Sequence, residues 1–284
     1  MQKYNTNLGV ALVQMHVTND KTVNLTNAIR LIRTAVHKYS PKIVVLPENF
    51  SFLYDKHNFE RYAEVIPNGE TYIELSNIAK ELRIYLVGGS IIERDDRTKT
   101  ILYNTTMVFN PAGTLIAKHR KIHLSDMELD TDFNIRESDI LKRGTTLTTF
   151  EVDGIKVGLG IGYDMSFGEM ATLYRKNGVD MLIYPSAYPA RLGLLHWDQL
   201  NRVRAIDNQL FVVGVSPARD DNTELVYYGH SMVVDPKGRV LVRGGDREEI
   251  LYTDLDFQDV DRYRNQIQLF PHKRLDVYDT IVKY

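Results

Sequence analysis

The stretch Val157-Gly158-Leu159-Gly160-Ile161-Gly162-Tyr163-Asp164-Met165-Ser166-Phe167-Gly168-Glu169 begins as an apolar run, ends in glycines and passes into a helical pattern. That sequence of signals is the outline of a nucleophile elbow. A buried strand followed by glycine, where the backbone can turn sharply or take a positive φ, and then by a helix presents one side chain at the sheet edge among helix N–H groups.

Working outward, residues 147–152 and 155–160 read as two strands joined at Asp153-Gly154, a strong hairpin dipeptide. After the elbow, a helix through Met170, Ala171 and Leu173 ends near Gly178, and residues 180–185 form an apolar strand that stops at Pro185. Residues 196–209 read as a helix, 210–215 as a strand, and 231–234 with 240–242 as a hairpin around Asp235-Pro236-Lys237-Gly238. The first half repeats the alternation. Residues 8–15 are a buried strand, 21–38 an amphipathic helix, 42–48 a strand, 71–82 a helix and 84–90 a strand running into glycine. Residues 105–109 and 114–118 flank Asn110-Pro111-Ala112-Gly113 as a hairpin, with Lys121 just past its end. Residues 125–143 are polar and acidic with little periodicity, which predicts a loop. Strands alternating with helices in both halves, without a linker or a short repeat, predict one α/β domain over residues 1–284, with mixed sheets covered by helices.

The chain has 284 residues, of which 43% are hydrophobic and 25% charged, enough to bury a large core. A net charge of -2 supplies no basic field, so nucleic acid and anionic membrane surfaces are poor partners. The first residues lack the apolar core of a signal peptide and no run has the length of a membrane span, so the expected location is cytoplasmic. Cysteine is absent, which excludes disulfides, thiolate metal sites and covalent catalysis by a thiol. No spacing of His and carboxylates suits a metal and no phosphate loop is present, so no cofactor is expected.

Four positions stand out as a constellation: Glu48 at a strand end, Lys121 beyond a hairpin, Glu137 after an acidic stretch, and Gly162 in the elbow. Taken singly, a Glu or a Lys is usually a solvated surface group. Glu48 is the exception, since a charge directly after an apolar strand must face a cleft or a partner.

Several separate blocks resemble the nitrilase (carbon–nitrogen hydrolase) superfamily, in particular its omega-amidase and deaminated-glutathione-amidase branch. Leu46-Pro47-Glu48-Asn49-Phe50 is similar to the block whose Glu is the general base. His119-Arg120-Lys121-Ile122-His123-Leu124 is similar to the block whose Lys stabilises the tetrahedral intermediate. Phe133 with Arg136-Glu137-Ser138 resembles the segment bearing the second glutamate. Leu195-His196-Trp197, residues 202–209, Ser216-Pro217-Ala218-Arg219 and Gly229-His230-Ser231 resemble later blocks.

The resemblance implies a four-layer α-β-β-α sandwich, a homodimer and a site for a small amide or carboxylate. Glu48, Lys121 and position 162 would be the catalytic positions, and Glu137, Tyr163, Asp164 and Ser186 would bind substrate. The family's nucleophile is a Cys, and Gly162 stands in its place. A chain lacking it cannot form the acyl-enzyme, and such a loss costs on the order of 10⁶ in turnover.

Three readings follow. The protein is inactive or very weak in amide hydrolysis and keeps its pocket for binding; or it is an amidase whose thiol has been substituted; or it is a non-catalytic interaction protein. Ser166, one turn beyond Gly162, is a poor substitute because Glu48 is placed for position 162. Glu48 and Lys121 acting on water directly would support at most slow hydrolysis. His123 and His230 fall in blocks where the family uses His structurally. Gly168, residues 190–194 and the acidic stretch 128–132 depart from the family pattern, so substrate choice is not inherited.

Overall fold

The computed structural model describes residues 7–54, 56–128 and 134–283. Its first sheet has seven strands. Three of them, Asn7–Gln14, Ile43–Val45 and Tyr85–Val87, run parallel, linked through the helices Lys21–Tyr39 and Glu70–Leu82. Leu102–Phe109 then pairs antiparallel with Tyr85–Val87, and carries Ile91–Arg94 and Leu115–Arg120 as further partners. On the other side, Glu249–Asp256 closes the sheet antiparallel to Asn7–Gln14, with Asn7 opposite Asp256 and Gln14 opposite Glu249.

The second sheet has six strands. Thr148–Val152 pairs antiparallel with Ile155–Leu159, which runs parallel to Met181–Pro185 and, beyond it, Phe211–Val215. Met232–Val234 and Val240–Arg243 complete it as a hairpin.

Alternation of side chains across each strand explains the layering. Val10, Leu12, Ile43, Val45 and Val87 of the first sheet face Val157, Leu159, Ile183, Val213 and Val233 of the second, forming the central core. The opposite residues, Ala11, Val13, Val44 and Leu86, pack under Leu25, Ala28, Ile32 and Ala35 of one helix and Leu75, Ile78 and Ala79 of the other. Leu182, Val212 and Met232 lie under Met170, Ala171 and Tyr174 of the helix Gly168–Lys176 and Ala205 of the helix Asp198–Asn208. The result is an α-β-β-α sandwich. No helix of the described residues is long and apolar enough to cross a membrane.

Local signals hold these elements in place. Asp20 caps the first helix by accepting from the Thr22 and Val23 amides, and Ser40, Arg83 and Gln209 end three helices in the left-handed conformation. The structure departs from the sequence reading where local periodicity is short. Within residues 125–143, expected as loop, Asp126–Glu128 pairs antiparallel with Asn134–Arg136, and a 3₁₀ turn spans Glu137–Asp139. Residues 129–133, including Phe133 and most of the acidic stretch, lie outside the described residues. The strands Ile91–Arg94 and Glu249–Asp256 and the helices Lys56–Tyr62 and Gln258–Gln266 were not anticipated. Glu249–Asp256 reads Glu-Ile-Leu-Tyr-Thr-Asp-Leu-Asp, and its strand character comes from pairing along the whole of Asn7–Gln14.

Candidate functional site

The carboxyl ends of strands from both sheets converge. After Ile43–Val45 the chain passes through Leu46 and Pro47 to Glu48, whose amide donates to the Ser186 carbonyl at 3.3 Å, just beyond Met181–Pro185 of the other sheet. The elbow strand Ile155–Leu159 ends beside them, and residues Gly162–Ser166 coil into a 3₁₀ turn. Ligands bind at such strand ends in open α/β architectures.

Glu48, Lys121 and Glu137 form one buried cluster, with 4%, 2% and 2% of their surfaces exposed. Lys121 Nζ donates to Glu48 Oε1 at 2.8 Å and to Glu137 at 3.0 Å. Asn104 Nδ2 donates to the same Glu48 oxygen at 2.8 Å, and the Ser125 amide donates to Glu137 Oε2 at 2.7 Å. Burial would discharge Lys121, but the carboxylates of Glu137 and Glu48 outweigh it and hold the ammonium above the usual lysine range. Burial also pushes the Glu137 carboxyl up, against the pull of Lys121 and with the help of the Glu48 charge.

Gly162 adjoins this cluster. Its φ is +47°, in the left-handed region, and a β-carbon there would overlap Glu48 Oε2, with Glu48 Cδ at 3.0 Å. The elbow thus turns through a left-handed residue, and the space that a side chain would enter is taken by the Glu48 carboxylate.

A cavity of about 560 Å³ opens above, lined by Glu48, Lys121, Glu137, Gly162 and Tyr163 among the residues that the sequence singled out. Ser166 also lines it, with its Oγ 3.3 Å from the Tyr188 hydroxyl. Tyr54, Asn49, Ser125, Tyr188 and His196 reach the same space. Sequence reading missed Asn104, Tyr54 and Tyr188. Asn104 gave a signal, a polar amide inside the strand Leu102–Phe109 that is otherwise mostly apolar; the tyrosines gave none.

Asp164 and Ser186, expected to bind substrate, lie outside the cavity lining. Both Asp164 oxygens are committed below it: Oδ2 accepts from the Ile161 amide at 2.9 Å and lies 3.4 Å from His119 Nε2. Oδ1 accepts from the His123 amide and contacts His123 Nδ1, each at 2.8 Å. Burial opposes the charge, yet these bonds hold the Asp164 carboxyl well below the usual carboxylate range. Asp164 is therefore the residue that ties the elbow to the segment after Lys121. Ser186 turns its hydroxyl to the Tyr184 carbonyl and reaches the site only through its own carbonyl. His123 stacks on Phe167 with ring centroids 3.6 Å apart, and His230 Nδ1 lies 2.9 Å from the Gly244 carbonyl, so both serve packing.

A sandwich of this topology with a Glu-Lys-Glu cluster at the strand ends defines the class, and the carbon–nitrogen hydrolase family model matches residues 9–265. The chain belongs to that family. It is 46% identical to the omega-amidase NIT2 of Mus musculus over 269 residues, covering 95% of this chain and 96% of that protein. The omega-amidase NIT2 of Homo sapiens is 45% identical over 278 residues, covering 98% of this chain and 99% of that one. Among solved structures, Saccharomyces cerevisiae Nit3, a member of branch 10 of the nitrilase superfamily, superposes with a TM-score of 0.88 at 39% identity, covering 96% of this chain and 99% of that one.

Proposed function

We propose that this omega-amidase-like chain has lost thiol-dependent amide hydrolysis and retains its cavity for binding a small amide or carboxylate. The observation that supports this is Gly162: the elbow is intact, no nucleophilic atom projects from it, and Glu48 Oε2 occupies the space beside it. In the full mechanism a Glu-activated thiolate attacks an amide carbon, ammonia leaves and water releases the acyl group, with Lys holding the oxyanion. In this reading Glu48 would activate the nucleophile and Lys121 would hold the oxyanion, and no atom at position 162 makes the attack.

The test is ammonia release from dicarboxylate monoamides by the purified protein, alongside thermal unfolding with the same compounds. Turnover at ordinary enzymatic rates would overturn the loss of activity. Stabilisation without turnover is the expected result, about 2.7 kcal/mol at a ligand concentration 100 times the dissociation constant.

A second reading, an amidase whose thiol has been substituted, is favoured by the left-handed backbone at residue 162, which is still shaped as a nucleophile turn. Gly162→Cys separates the two. Brisk ammonia release would support the second reading, and continued silence the first.

Exposed Val203 and Ile206 on the helix Asp198–Asn208, with Val240 and Leu241 on the edge strand, support a homodimer as part of the same proposal. Light scattering on the full chain tests it, and a monomer at all concentrations would refute it.

A further inference from the structure

Asn49 follows Glu48 in the turn that leaves the strand Ile43–Val45, and its φ is +51°. Asparagine is one of the few residues that take this left-handed backbone readily. The backbone there is fixed on both sides. The Asn49 amide donates to Ser90 Oγ at 3.0 Å, its carbonyl accepts from the Phe52 amide at 3.3 Å, and Phe50 is buried in the core beneath the helices. Its side chain is thereby held in the cavity wall, with 2% of the residue exposed.

That side chain makes no hydrogen bond with any described residue. Its Oδ1 is buried without a partner. Asn104 Oδ1, Thr106 Oγ1 and the Tyr184 hydroxyl are buried in the same condition, but they belong to residues outside the cavity wall, to which Asn49 belongs. With Oδ1 sealed in the protein, Nδ2 is the end of the carboxamide left to the cavity. An unpaired donor in a buried wall costs free energy until it meets an acceptor. The buried cation of the same wall, Lys121, already gives its protons to Glu48 and Glu137. A left-handed turn alone would be served as well by glycine, so the backbone does not account for the carboxamide.

Resting on the reading that the cavity is a retained binding site, we propose that Asn49 is a ligand-binding residue whose Nδ2 donates to the carbonyl oxygen of a bound primary amide or to one oxygen of a bound carboxylate. A neutral donor serves both classes, because each presents an sp² oxygen with free lone pairs. Its backbone is already fixed by Ser90 and Phe52, so little ordering is left to be done when the ligand arrives. The carboxamide would fix where that oxygen sits, one residue from the Glu48 carboxylate.

The experiment measures glutaramate and glutarate by calorimetry on the full chain, with Asn49→Gly and Asn49→Asp beside the parent. Glycine keeps the left-handed backbone accessible and removes the donor, whereas aspartate keeps the shape and puts an oxygen where Nδ2 stands. Asn49→Gly should weaken both ligands by roughly tenfold, the loss of one hydrogen bond to the ligand. Asn49→Asp should weaken glutarate more than glutaramate, because two carboxylates then oppose each other. Ligand-free melting temperatures, measured alongside, separate a folding loss from a binding loss, and Asn49→Asp carries the test should Asn49→Gly fail to fold. Affinities equal to the parent's in the variants, with a shift in melting temperature alone, would assign Asn49 to the backbone and overturn this inference while the retained-pocket reading stands. Absence of binding of either ligand by the parent would overturn both.

Discussion

Glu48 meets Lys121 at 2.8 Å through one carboxylate oxygen, and its other oxygen fills the space where a β-carbon on Gly162 would stand. The Glu48 carboxylate and any side chain at position 162 are thus in direct steric competition. Any side chain at 162 must displace a carboxylate that Lys121 and Asn104 both hold.

Gly162→Ala should accordingly destabilise the protein. A left-handed backbone at a non-glycine residue and a displaced buried carboxylate together cost about 1–3 kcal/mol. Thermal unfolding of the variant should fall by several degrees, and an unchanged melting temperature would show that Glu48 moves freely.

Removing the ammonium is predicted to be more severe. Lys121→Met leaves two buried carboxylates facing each other, and breaking a buried pair by deleting one partner costs about 3–5 kcal/mol. Burial already holds the Glu137 carboxyl above its ordinary value, and without Lys121 it loses the charge that pulls it back down. A carboxyl raised in this way favours the fold when protonated and disfavours it as pH rises through the folded pKa, so the deficit should be large at neutral pH and shrink in mildly acidic buffer. Chemical unfolding at the two pH values measures this, and a deficit that does not depend on pH would refute it.

Asp164 gives the opposite sign. Its folded pKa lies below the ordinary 3.8, so its contribution is present above that pH and is lost as pH falls through the folded value. Asp164→Asn should cost about 2 kcal/mol at neutral pH through weakened bonds to His123 and the Ile161 amide. The gap between variant and parent should close in acid. A gap that widens below pH 3.8 would contradict this assignment.

Gln14 links the two sheets: its side chain donates to the carbonyls of Gly245 and Arg247 at 2.9 and 2.7 Å and accepts from the Ser231 amide at 2.8 Å. Gln14→Leu leaves the buried Ser231 amide without its acceptor, and a loss of about 1–3 kcal/mol is expected by urea unfolding. A neutral effect would mean that water replaces the amide.

Much of the scaffold was legible because it rests on local patterning. Apolar runs ending in Pro or Gly marked Ile43–Val45, Ile155–Leu159 and Met181–Pro185, and Asp153-Gly154 marked its hairpin. Glu48 could be picked out because a charge directly after a buried strand needs a partner. Glu249–Asp256 could not, since four of its eight residues are polar or charged and its identity as a strand comes from the neighbour it pairs with.

By itself the sequence determined the alternation of strands and helices, the absence of any thiol and the glycine at the elbow, because composition and short-range periodicity act along the chain. Tertiary structure alone decided that Glu48, Lys121 and Glu137, scattered over ninety positions, share one cluster, that Asp164 is spent on holding the elbow while Tyr54 and Tyr188 wall the cavity, and that a Glu48 oxygen stands beside Gly162. The physical reason is that hydrogen bonds, charge balance and excluded volume depend on distances in space, and separation along the chain does not encode them.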